Sequence, residues 1–183
     1  MPSPVPPEPR AEAVHDDGAA QLRHEIRQTR PFRTPGQAAL VALMRTSDVI
    51  RRELAAVIEP HGITLQQYNV LRILRGAGEA GLPTLEIAHR MIEEAPGITR
   101  LLDRLEDKGL VARERCRADR RQVLCHLRSA GLELLAGLDE PVGQADARLL
   151  GRLSTQDQQT LLAFLDRIRA PRGARSNEEP VSD

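Results

Sequence analysis

The sequence predicts a mostly helical chain with one small β-wing. Three observations carry this. The apolar residues are aliphatic: hydrophobic residues make up 40% of the chain and aromatics only 2%, and Leu and Ala favour helices where aromatics favour strands. Apolar residues recur at three- and four-residue steps through most of the chain, behind legible start signals. One segment, residues 111–127, breaks that period and places strand-forming residues around an arginine-rich loop.

Taken in order, residues 1–33 read as a flexible N-terminal arm. Residues 1–20 are rich in Pro, Glu, Asp and Ala with few large apolars, a composition that cannot bury enough surface to order itself. Residues 21–33 predict a short helical piece ended by Pro31. A long helix then starts at Thr34-Pro35, a good N-cap followed by the residue favoured at the first helical position. Leu40, Leu43, Ser47, Ile50, Leu54, Val57 and Ile58 fall on one face of it, and Pro60 with Gly62 ends it. Thr64 and Gln67 have the capping-box spacing. The helix behind them carries Tyr68, Val70, Leu71, Ile73 and Leu74 until Gly76, Gly78 and Gly81 break it. A short helix over 84–91 follows. After Pro96 and Gly97 comes another, with Ile98, Leu101, Leu102 and Leu105 as its apolar stripe and Gly109 placed for a C-cap.

Residues 110–115 and 121–127 predict a β-hairpin around the polar stretch 116–120. A helix then starts near Ser129, with Leu135, Leu138, Val142, Ala145 and Leu149 in register. Pro141 should kink or restart it. Ser154 with Asp157 caps a last helix, whose stripe is Leu161, Phe164, Leu165 and Ile168. Residues 170–183 read as a flexible polar tail. The expected organisation is therefore an arm (1–33), a dimerisation helix (34–63), a DNA-binding lobe (64–128), C-terminal dimerisation helices (129–169) and a tail (170–183).

From Thr64 the order is helix, helix, helix, hairpin. A helix-turn-helix trailed by a hairpin is a winged helix, whose second helix enters the DNA major groove while the hairpin follows the backbone or a minor groove. Charge supports this reading. The whole chain is neutral, yet residues 100–128 hold nine Arg or Lys against five Asp or Glu. Each phosphate such a patch neutralises releases counterions. Thr99, Arg100 and Asp103 lie opposite the Leu101/Leu105 stripe, with Arg104 beside them. Gly97 and Thr99 are small enough for close approach to base edges, and Arg100 can fork a guanine. The alternative, a winged-helix protein-interaction module without a DNA role, would lack the basic tip.

The stretch ITRLLDRLEDKGLVARERCRADRRQVLCHLRSAG resembles the helix-and-wing segment of MarR-type transcriptional regulators, with Asp119, Arg121, Leu127 and Gly131 in step with the family's wing pattern. ITLQQYNVLRIL and LPTLEIAHRM resemble its preceding helices. The likeness covers roughly residues 36–168. Cys125 stands where Val is usual and Arg128 where Thr is usual, so Ser129 is expected to take over the helix cap. The resemblance implies a homodimer on a pseudo-palindromic double-stranded operator, usually a repressor relieved by a small lipophilic or aromatic effector. It implies that Arg121 enters the minor groove, that Asp103 pairs with Arg121 to set the wing angle, and that Asp119 orders the loop. Arg115, Arg117 and Arg120 become phosphate contacts. Met44 and Tyr68 fall near the implied effector pocket, although Tyr68 reads first as a partly buried core tyrosine with its hydroxyl satisfied. The residues themselves agree on dimerisation, because the first helix and the last two carry long apolar stripes that need a partner.

Other chemistries find little support. G-x-S-x-G, a phosphate loop, H-E-x-x-H and usefully spaced carboxylate pairs are all missing from the sequence, so no enzyme and no cofactor is expected. The five histidines lack metal-ligand spacing. Cys116, among arginines that would lower its pKa, reads first as a small loop residue. Cys125 reads as a core residue of a strand. No apolar run reaches the roughly 18–20 residues of a membrane span, and a cytoplasmic protein is expected.

Overall fold

The computed structural model describes residues 19–94, 96–115 and 122–170. The sequence-predicted residues Cys116, Arg117, Asp119, Arg120 and Arg121 lie outside them. The chain divides between Arg52 and Glu53 into two compact units.

The first unit contains α1 (Ala20–Glu25) and most of α2 (Pro35–Ile58). α1 ends well before Pro31. Arg27 adopts φ 55°, and the amides of Arg27 and Gln28 donate to the carbonyls of His24 and Arg23. That is the left-handed helix stop usually built on glycine; with arginine there, the sequence carries no sign of it. α2 starts as expected, with the Gln37 amide donating to Thr34 Oγ1 at 3.1 Å.

The second unit takes the last residues of α2 and adds α3 (Leu65–Ala77), β1 (Leu82–Pro83), α4 (Thr84–Arg90), α5 (Ile98–Asp107), β2 (Val111–Arg115), β3 (Val123–Leu127), α6 (Ser129–Leu150) and α7 (Thr155–Arg169). α2 gives way to a single 3-10 turn, Glu59–His61, which Gly62 closes. Thr64 and Gln67 form the full capping box that starts α3. Val70, Leu71 and Leu74 of α3 are buried against Ile58, Ile87 of α4, Leu102 and Leu105 of α5, and Leu135 and Leu138 of α6. Each such side chain contributes about 1.5–3 kcal/mol relative to exposure.

The hairpin is real and gains a third strand, in the order β1-β3-β2, all antiparallel. β1 is only Leu82 and Pro83, opposite Cys125 and Leu124. An edge place suits Pro83, which has no amide to donate. A two-residue strand shows no alternation, so the sequence does not announce it.

One expectation about α6 needs correction, and one of two alternatives falls away. Arg128 stands at its N-cap without a side-chain cap bond and Ser129 is already helical, so Ser129 does not take over the cap. Gly131 packs closely in the first turn: a Cβ there would lie 2.6 Å from the Leu110 carbonyl and from Leu127 Cδ1. α6 also runs through Pro141 without a restart. Proline removes the donor for the Gly137 carbonyl, but Gly137 is exposed and water can serve it, while buried Leu138 and Val142 hold both sides of the step.

Candidate nucleic-acid interface

α4 and α5 form the helix-turn-helix. Asn69 of α3 ties the turn between them, its Oδ1 accepting the Ile92 amide at 3.0 Å. Gly97 is the N-cap of α5. Glycine offers no capping side chain, so the leading amides of α5 are left to solvent or an anion. Leu102 and Leu105 are buried, whereas Gly97, Thr99, Arg100 and Arg104 are exposed. The structure thus brings those four predicted residues onto one solvent-facing helix.

The far end of α5 is fixed from three directions. Gly109, at φ 69°, lets its own amide donate to the Glu106 carbonyl and the Leu110 amide donate to that of Leu105. This satisfies the last carbonyls and sends the chain directly into β2. Lys108 Nζ donates to the Gly62 carbonyl at 2.7 Å. Arg113 of β2 then reaches back to α5. Its Nε and Nη2 donate to Glu106 Oε2 at 2.8 and 2.6 Å, its amide donates to Glu106 Oε1 at 3.1 Å, and Nη2 also lies 2.7 Å from Asp103 Oδ1.

The strand period explains the contact. Successive side chains alternate faces, so Arg113 follows Val111 on the face turned to α5. Val111 is fully buried and Arg113 lies where the apolar core runs out. The fork of hydrogen bonds from Arg113 holds the Glu106 carboxyl below its usual range and raises the guanidinium in return. With a depressed pKa, Glu106 contributes stability above the ordinary glutamate value, and loses it as pH falls through the lowered one.

Sequence reasoning placed Asp103 as the wing-orienting group and expected Arg121 as its partner. Asp103 does bridge α5 to the hairpin, but its described partner is Arg113; Arg121 and Asp119 lie outside the described residues. Arg113 and Glu106 were missed as site residues. The signal that would have found them is the in-facing strand position two after Val111, combined with a carboxylate on the last turn of the preceding helix. Arg115 ends β2 opposite Val123 and is exposed.

The remaining predicted residues belong to other elements. Met44 is exposed on α2 in the first unit, at a shallow groove lined by Leu43, Ser47, Asp48 and Arg51. Tyr68 is buried in the core of the second unit, with the Arg72 guanidinium 5.8 Å over its ring. Burial pushes its phenol upward, as it does the thiol of Cys125, which lies fully buried in β3 beside Thr84. Among the described residues no group of three His, Cys, Asp or Glu is placed to hold a metal ion, and no helix is long and apolar enough to cross a membrane.

A helix pair whose second member presents exposed cations and is tied to a trailing hairpin defines a winged-helix DNA-binding protein. The chain belongs to the MarR family, whose family model matches residues 63–123. A MarR transcription factor from Planctomyces limnophilus is 40% identical, with a TM-score of 0.58 over 74% of this chain and 98% of that one. An HTH-type transcriptional repressor of Mycobacterium tuberculosis is 31% identical over 126 residues, 69% of this chain and 89% of its own length. A mutant MarR from Escherichia coli, solved in complex with operator DNA, is 28% identical with a TM-score of 0.65, over 70% and 91% of the two chains. The protein is a DNA-binding transcriptional regulator and not an enzyme.

Proposed function

We propose that the protein acts as a homodimeric repressor on a pseudo-palindromic operator. α5 enters the major groove of each half-site, with Arg100 reading a base edge and Gly97, Thr99 and Arg104 fitting the helix to the groove. Arg115, Arg117 and Arg120 meet phosphates, and Arg121 enters the adjacent minor groove from a loop ordered by Asp119. Two such lobes related by a two-fold axis engage half-sites about one helical turn, roughly 10 base pairs, apart.

The observation that carries this reading is the exposed row Gly97, Thr99, Arg100 and Arg104 on a helix whose other side is buried in the core. Dimerisation is supported separately by α7, which buries no residue within the chain. In the same reading the functional division follows the expected segments: 64–128 binds DNA, while 34–63 and 129–169 serve dimerisation. A small lipophilic or aromatic effector relieves repression, and the groove beside Met44 is the surface we assign to it. Such a ligand shifts DNA affinity only by preferring one spacing of the two lobes.

The test is footprinting on the DNA flanking the protein's own coding region, with and without aromatic acids, followed by mobility shifts at two salt concentrations. A two-part footprint with a steep salt dependence is expected. Arg121→Ala should weaken binding to every duplex, and Arg100→Ala should relax specificity at particular bases by about 1–3 kcal/mol each. Equal operator affinity for wild type and Arg121→Ala removes the wing from the account.

A further inference from the structure

A helix that faces a phosphate backbone should not offer it carboxylates, yet α5 carries Asp103 one turn beyond its exposed Thr99 and Arg100. Glu106 follows at the next turn. Unneutralised, both would oppose the nucleic acid. Neither is left so. One guanidinium, that of Arg113, serves both: it donates twice to Glu106 Oε2 at 2.8 and 2.6 Å and lies 2.7 Å from Asp103 Oδ1.

The three groups are unequally sheltered. Arg113 is the most covered, with its side chain 26% exposed, against 34% for Glu106 and 46% for Asp103. Glu106 is also bound through its other oxygen to the Arg113 amide at 3.1 Å. It therefore anchors both backbone and side chain of the strand. Asp103 has only the edge of the fork and stands nearest solvent. The geometry divides the labour: Glu106 fixes Arg113, and Arg113 in turn cancels Asp103.

We propose that Arg113 is a positioning residue for DNA binding. It locks the wing strand to the recognition helix through Glu106 and masks the Asp103 charge on the DNA-facing side, without itself touching DNA. This rests on the reading of α5 as the recognition helix. A lysine cannot replace it, because a single ammonium lacks the planar fork that reaches two carboxylates at once.

The experiment uses the full-length chain and a duplex selected from a random pool by the wild-type protein, with affinity read by fluorescence anisotropy and folding by thermal melting. Arg113→Gln should weaken binding by about tenfold or more, because it strips one partner from two carboxylates. Asp103→Asn alone should change it by less than about threefold. In the Arg113→Gln background, however, Asp103→Asn should recover a large part of the loss, a coupling that additive sites do not give. Arg113→Lys should fall between wild type and Arg113→Gln at an unchanged melting temperature.

If Arg113 instead grips a phosphate, Asp103→Asn restores nothing in the Arg113→Gln background, and the proposal is overturned. Undiminished binding by Arg113→Lys overturns the fork. Should Arg113→Gln fail to fold, the Lys variant with and without Asp103→Asn carries the same comparison: absence of any deficit or rescue refutes the role. A duplex bound equally by wild type and Arg100→Ala refutes the reading of α5 itself. Sensitivity to Arg100→Ala with indifference to Arg113→Gln refutes only the clamp.

Discussion

α3 and α7 begin in the same way and end in opposite situations. Both open with a capping box, Thr64 with Gln67 and Ser154 with Asp157. Both carry aliphatic residues at helical spacing. Yet α3 buries Gln67, Tyr68, Val70, Leu71 and Leu74, whereas α7 buries nothing and leaves Leu162, Phe164 and Ile168 59%, 53% and 61% exposed. Local signals start a helix without saying what covers it. Most helical stability comes from packing of the apolar face, so α3 is held by its own chain, whereas α7 buries no residue within it.

The largest expected effect lies on the covered side. Leu71 is fully buried among α3's neighbours. Leu71→Ala should cost about 2–5 kcal/mol through lost transfer energy and the cavity left behind. Urea unfolding monitored by circular dichroism measures it. A cost below about 1 kcal/mol would mean that the core around α3 is not packed as described.

The uncovered side answers to a different measurement. Phe164→Glu with Ile168→Glu should leave the helical content of a single chain intact, because neither side chain is buried within it. If α7 seals a dimer, the pair should weaken association by about 2 kcal/mol or more, since exposed aromatic anchors dominate such interfaces. Sedimentation equilibrium across a dilution series would register the change as a shift toward single-chain mass. An unchanged mass at every concentration removes α7 from the interface.

This contrast also marks what the sequence could disclose. Both capping boxes, the glycine stop after α5, the hairpin and the apolar stripes are local patterns of spacing and residue type, and they were legible. The features that escaped depend on residues distant in the chain or lacking a local signature. β1 is two residues whose strand character exists only through pairing with Cys125 and Leu124. α1 stops at an arginine in a left-handed conformation where only glycine would have signalled it. Whether Pro141 restarts α6 or passes inside it is decided by buried neighbours such as Leu138 and Val142, not by local spacing. Of the candidate interface, the exposed face of α5 followed from helical period alone. The Arg113 clamp did not, because it needs the turn geometry that folds β2 back alongside α5.

Equal caps on unequal helices provide a sharper comparison. In Thr64→Ala the amide of Gln67 loses an acceptor at 3.2 Å, and Gln67 itself is buried. A cost of about 1–2 kcal/mol is expected, the upper half of the range for N-caps, because the buried side of Gln67 limits replacement of the lost oxygen by water. Ser154→Ala removes a matching 3.2 Å bond to the Asp157 amide at an exposed site. Water can serve there, so about 0.5 kcal/mol or less is expected. Parallel urea titrations decide it, and an equal or reversed order would show that burial does not set the value of a cap in this chain.

The smallest effect concerns how α3 is joined to α6. Arg75 Nη1 donates to both carboxylate oxygens of Asp139 at 2.9 Å, while the apolar residues Leu71, Leu74, Leu135 and Leu138 pack nearby in the same core. The pair spans two helices and has good geometry, but its side chains are 36% and 53% exposed. Solvent screens the attraction, and ordering two long side chains offsets part of it. A double-mutant cycle with Arg75→Gln and Asp139→Asn should therefore give a coupling of about 0.2–1 kcal/mol at low salt. It should shrink further as salt is raised, since the Debye length falls to about 3 Å at 1 M. A coupling well above that range, or one indifferent to salt, would make the ion pair rather than the leucines the chief link between these helices. It would then recast α3 as a helix held by charge, and the contrast with α7 would lose its basis in buried apolar surface.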